Sequence, residues 1–81
     1  MSAEWERTGA PQPGETVDLL PGEYLEHGVP STRPARFAVA AVGMVYVQNG
    51  GRYVDAKGHL LRADGDREPV PRYLSIALGP A

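Results

Sequence analysis

The dipeptide Asn49-Gly50, between Met44-Val45-Tyr46-Val47-Gln48 and Gly51-Arg52-Tyr53-Val54, constrains this chain more than any other feature. Both residues tolerate the positive φ that a two-residue hairpin turn requires, so the dipeptide sets a chain reversal and a register. Gln48 then faces Gly51, Val47 faces Arg52, Tyr46 faces Tyr53 and Val45 faces Val54. Aromatic meets aromatic and β-branched meets β-branched, each such pair contributing a few tenths to about 1 kcal/mol. Moving the turn to Gly50-Gly51 would place Tyr53 opposite Gln48 and Tyr46 opposite Asp55, losing both matches.

A second turn is predicted at Asp55-Ala56-Lys57-Gly58, where Asp suits the first position and Gly the fourth of a type I turn closed by a bulge. His59-Leu60-Leu61-Arg62-Ala63 would then be the third strand of a meander, with Asp55 beside His59, Val54 beside Leu60 and Tyr53 beside Leu61. One face carries Val45, Val47, Val54 and Leu60, the other Met44, Tyr46, Tyr53 and Leu61. A sheet with one wet face alternates apolar and polar side chains. Two apolar faces therefore call for cover on both sides, by closure of the chain or by a partner.

Outside the meander, Thr16-Val17-Asp18-Leu19-Leu20 reads as a strand stopped by Pro21-Gly22, and Glu23 to His27 as a second, ended by Gly28-Val29-Pro30. Residues 31–43 admit two readings. A helix would use Ser31 or Thr32 as cap, Pro34 in the first turn, an alanine-rich body and Gly43 as stop. A strand would place Phe37, Val39 and Ala41 on one face and treat Gly43 as a bend or bulge. Pro69-Val70-Pro71 must be extended, and Arg72 to Leu78 alternates Leu74, Ile76 and Leu78 against Tyr73, Ser75 and Ala77, a final strand. The expected fold is all-β: a small five- or six-stranded barrel or sandwich built on a central β-meander. The alternative is α+β with one short helix at about 33–42. Residues 1–14, rich in Pro, Gly and polar side chains, are expected to be a flexible tail on a single domain, residues 15–81.

With 81 residues, ten of them alanine, the chain has large apolar side chains for one small core and no separate active-site domain. Cysteine is absent, which excludes disulfides, thiolate metal sites and cysteine catalysis. No apolar run approaches the roughly 18 residues of a membrane span and the acidic N-terminus has no signal-peptide core, so a cytoplasmic protein without a membrane partner is expected. The net charge of −2 is uneven: residues 1–26 hold six acids against Arg7, while residues 27–81 hold seven bases against four acids.

Catalytic chemistry finds little support. His27 and His59 are the two imidazoles, without HxH or HExxH spacing, and no metal site is expected. Asp64-Gly65-Asp66 lacks the remaining acidic ligands of a calcium loop and reads as a solvated turn. Ser2, Ser31 and Ser75 sit in no nucleophile elbow. Neither an enzyme nor a cofactor is expected. The side chains suited to binding are Trp5, the lone Trp of the acidic N-terminus, together with Tyr46, Tyr53, Arg52, Arg62 and Arg72. They support a non-catalytic protein–protein interaction or assembly module, engaging a protein partner or self-associating as a homo-oligomer. The alternative is a nucleic-acid-binding accessory protein in which aromatic and basic side chains hold a single strand. The register weakens it by putting Tyr46 and Tyr53 on one face and Arg52 and Arg62 on the other, and net negative charge weakens it further.

Overall fold

The structure is a computed structural model that describes residues 10–80. Six antiparallel strands, β1 (Thr16–Leu19), β2 (Tyr24–Glu26), β3 (Val29–Pro30), β4 (Ala35–Gln48), β5 (Gly51–Leu60) and β6 (Arg72–Pro80), form one sheet in the order β1-β4-β5-β6-β2-β3. The sheet curls into a half-barrel around a single layer of side chains: Val17 and Leu19 from β1, Tyr24 from β2, Phe37 and Val39 from β4, Val54 and Ala56 from β5, and Leu74, Ile76 and Leu78 from β6. Phe37 and Val54 are sealed from solvent. The Tyr24 hydroxyl donates to the Arg33 carbonyl at 2.9 Å, tying β2 to the segment that leads into β4. Of the two readings of residues 31–43, the strand is observed, because Phe37 and Val39 are needed on the concave face and a helix would have removed them from it.

The Asn49-Gly50 turn forms as read. Both residues take positive φ, 51° and 79°, and Val45 pairs with Val54, Tyr46 with Tyr53, Val47 with Arg52 and Gln48 with Gly51. The same geometry recurs at His27-Gly28, φ 55° and 78°, between paired Glu26 and Val29. His27 is thus a turn residue joining β2 to β3.

The second turn does not form. Asp55-Ala56-Lys57-Gly58 lies within β5, and the meander is β4-β5-β6, with its second reversal in the loop after Leu60. Val54 therefore pairs with Ile76, Asp55 with Ser75 and Tyr53 with Ala77, rather than with Leu60, His59 and Leu61. Gly58 is explained by close approach. A Cβ built there would stand 2.0 Å from the Ala38 carbonyl oxygen and 3.0 Å from the Phe37 ring, so the sheet wraps tightly around Phe37 only if position 58 has no side chain.

The expectation of two apolar faces is corrected as well. On β5, Val54, Ala56 and Gly58 are buried while Asp55 and Lys57 between them are exposed, the alternation of a sheet wet on one side. Both faces are apolar only near the hairpin tip. The β5–β6 loop is held by polar contacts: the Gly65 amide donates to the Arg62 carbonyl, Asp64 Oδ1 accepts from the Asp66 amide at 3.0 Å, and His59 Nδ1 meets the Glu68 carbonyl at 2.8 Å. A carbonyl only accepts, so Nδ1 carries the proton and His59 anchors the loop. Residues 10–14, assigned to the tail from sequence, include a buried Pro11 and a half-buried Ala10 packed on the core.

Candidate interaction surface

Strand β4 has fourteen residues, against five or six or so in an ordinary strand. Its first part serves the core; its second part outruns it. Beyond Val42 no β4 residue is buried, and Met44, Val45 and Val47 are 80%, 51% and 63% exposed. Strand β1 pairs with Ala35 to Ala38, and two further bonds, Gly14 amide to Val39 carbonyl and Val39 amide to Glu15 carbonyl, extend that edge by one residue. Past Val39, no strand among the described residues pairs with the outer edge of β4. The run Ala40–Gln48 carries no charge. Register shifts between Val39 and Ala41 and between Val42 and Val45 bend the strand, which leaves Val45–Gln48 as its straight outer end.

On the convex face, the Tyr46 and Tyr53 rings stack with centroids 5.8 Å apart and an interplanar angle of 25°. The Tyr46 hydroxyl reaches over β5 and donates to Ser75 Oγ at 2.7 Å; Ser75 Oγ in turn donates to Asp55 Oδ1 at 3.2 Å. Each hydroxyl's proton is thus committed within the sheet. Tyr46 therefore presents its ring rather than a free donor.

The arginines disperse. Arg72 bonds Glu26 at 2.5 Å and lies 3.7 Å from Glu68, and the hydrogen bond to Glu26, reinforced by its charge, raises the guanidinium above its ordinary pKa. Arg52 stands opposite Val47, on the face away from the stacked tyrosines, with its Nε buried and unpartnered. Arg62 lies beyond β5 in the exposed loop. Lys57 sits over the exposed Tyr73 ring, 5.6 Å from its centroid. Of the side chains singled out from sequence, the structure brings together Tyr46 and Tyr53 alone; Trp5 lies outside the described residues.

A groove of about 850 Å³ runs between the β2–β3 hairpin and the start of β4, lined by Glu26, His27, Arg33, Arg36 and Arg72 among others. Its charges are largely matched: Arg36 Nε donates to Asp18 at 2.8 Å and Arg72 to Glu26. Among the described residues no three His, Asp or Glu side chains converge as a metal site, and no helix is long and apolar enough to cross a membrane.

Sequence reasoning passed over the exposure of Met44, Val45 and Val47. The signal was present: from Phe37 to Gly51 no residue is charged, a run longer than the core of so small a domain can cover. No family model, curated protein or solved structure matches the chain.

Proposed function

We propose that this chain is a small non-catalytic protein–protein interaction module that engages its partner through the outer end of the β4–β5 hairpin. One observation carries the reading: an uncharged, apolar stretch, Met44 to Val47, on a strand whose outer edge no described strand pairs beyond Val39. An exposed edge offers backbone donors and acceptors to any incoming strand, and proteins that must avoid such additions put Lys, Pro or inward charges there. This edge has none of these side chains. Strand addition draws affinity from main-chain hydrogen bonds and selectivity from alternate side chains, here Val45 and Val47 on one face and Met44 and Tyr46 on the other.

The test compares two positions of nearly equal exposure, Val47 at 63% and Leu20 at 60%. A photo-crosslinking amino acid at Val47 is expected to form discrete protein adducts in extract of the native cells, supplemented with the purified chain, while the same probe at Leu20 gives diffuse labelling. Equal labelling at the two positions overturns the reading.

A further inference from the structure

Resting on that reading, we infer that the strand received by the β4 edge is β4 of a second copy, paired antiparallel about a two-fold axis at Tyr46. The backbone specifies which groups are available. In a two-residue hairpin the residues flanking the turn exchange both of their hydrogen bonds, and bonded pairs then alternate with unbonded ones. Gln48 and Gly51 flank the Asn49-Gly50 turn, so Gln48 and Tyr46 direct their amide and carbonyl groups into β5. Val45 and Val47 direct theirs outward, to the edge that no described strand pairs.

A two-fold axis perpendicular to the sheet returns each face to itself, so opposed residues share a face and one residue must oppose its own copy. Placing Tyr46 on the axis sets Val45 opposite Val47 of the second copy, and Val47 opposite its Val45. Both pairs are the ones with outward backbone groups, so they exchange four hydrogen bonds. Both join β-branched side chains that are 51% and 63% exposed in the single chain. Met44 then meets Gln48, and Gly43 meets Asn49, so no charge opposes a like charge anywhere along the contact. On the convex face the Tyr46 ring leans over β5 toward Ser75, which leaves the axis open for the approaching strand. The register shift between Val42 and Val45 ends the straight segment and with it the pairing. Such a contact is short, so the dimer exchanges with free chains and its fraction rises with concentration.

The absence of native cysteine makes this geometry directly readable. Val45→Cys and Val47→Cys chains mixed under mild oxidation are expected to give a mixed disulfide in several-fold excess over the dimer from either variant alone. Opposed Cα atoms lie within disulfide reach, whereas identical positions are offset along the strands. Val47→Pro removes an outward amide that the β4–β5 ladder does not use, so it is expected to keep the melting temperature near the parent value and to hold the chain monomeric in sedimentation at every concentration. If Val47→Pro fails to fold, the cysteine mixture still decides. Homodimers from one cysteine variant in equal or greater yield than the mixed species, or a parent chain that stays monomeric at high concentration, overturn the second copy as partner. The proposed function itself survives that result if the Val47 probe marks a different protein, and falls if Val47 and Leu20 label alike.

Discussion

At Gly58 the volume of one methyl group decides whether the sheet can wrap. The Ala38 carbonyl and the Phe37 ring occupy the space a Cβ would need, and neither can retreat, because Phe37 is sealed in the core. Gly58→Ala is expected to lower stability by about 3 kcal/mol or more, at or beyond the upper end of ordinary overpacking, since backbone must move; a thermal melt reads it. Asn49 tests the opposite use of a small side chain. With φ at 51°, Asn49→Val forces a β-branched residue into the left-handed region, and a loss of about 1–2 kcal/mol is expected in the same melt. A glycine or asparagine in sequence shows that something special happens at its position and does not show what. Asn49 was legible because hydrophobic partners flank it in matching register. Gly58 was misread as a turn residue because Asp55 completes a turn signature, whereas the cause of Gly58 is the Ala38 carbonyl together with the Phe37 ring, 20 and 21 positions earlier in the chain.

Among the elements, the Asn49-Gly50 hairpin was readable to the residue, and the end strands nearly so, β1 stopping at Leu19 rather than Leu20 and β6 running on to Pro80 rather than Leu78, because period-two alternation needs no distant information. The length of β4 was not readable. Its alanines favour helix locally, and only the demand of the concave face for Phe37 and Val39 settles the segment as strand. The candidate site was legible in part for a related reason. The register placed Tyr46 beside Tyr53, but whether Val45 and Val47 lie under other strands depends on where β1 stops, which no local pattern records. Tyr46→Phe isolates one contribution inside this hairpin. The ring stack is retained while Ser75 loses its donor, so a loss of about 0.5–1.5 kcal/mol is expected, from the worth of a single hydrogen bond. A denaturant titration should show a lowered midpoint with unchanged slope.

For the molecule as a whole, positive charge is spread over unlike surfaces: Arg72 is held by Glu26, Arg52 stands by Val47, and Arg62 rides an exposed loop. Phosphate binding needs several cations tracking one backbone and weakens steeply with salt. Mobility-shift assays with single-stranded and duplex nucleic acid at low salt are therefore expected to show no complex. The two lateral margins of the sheet also differ. On the far side stands β3, two residues long and ending in Pro30, which has no amide hydrogen to give. A contact that returns the same surface on both copies consumes that surface, whereas head-to-tail contacts between unlike surfaces generate open filaments. Growth of this protein into fibrils would need an end strand of the sheet to accept another strand; β3 is two residues long and ends in proline, and β1 is four residues long and carries the charged Asp18, so neither is suited to it. Concentrated solutions should accordingly remain clear and fail to enhance thioflavin fluorescence. If β4 pairs with a second copy as proposed, the hazard that an uncharged strand margin normally brings to a cell is confined to a single, self-limiting encounter.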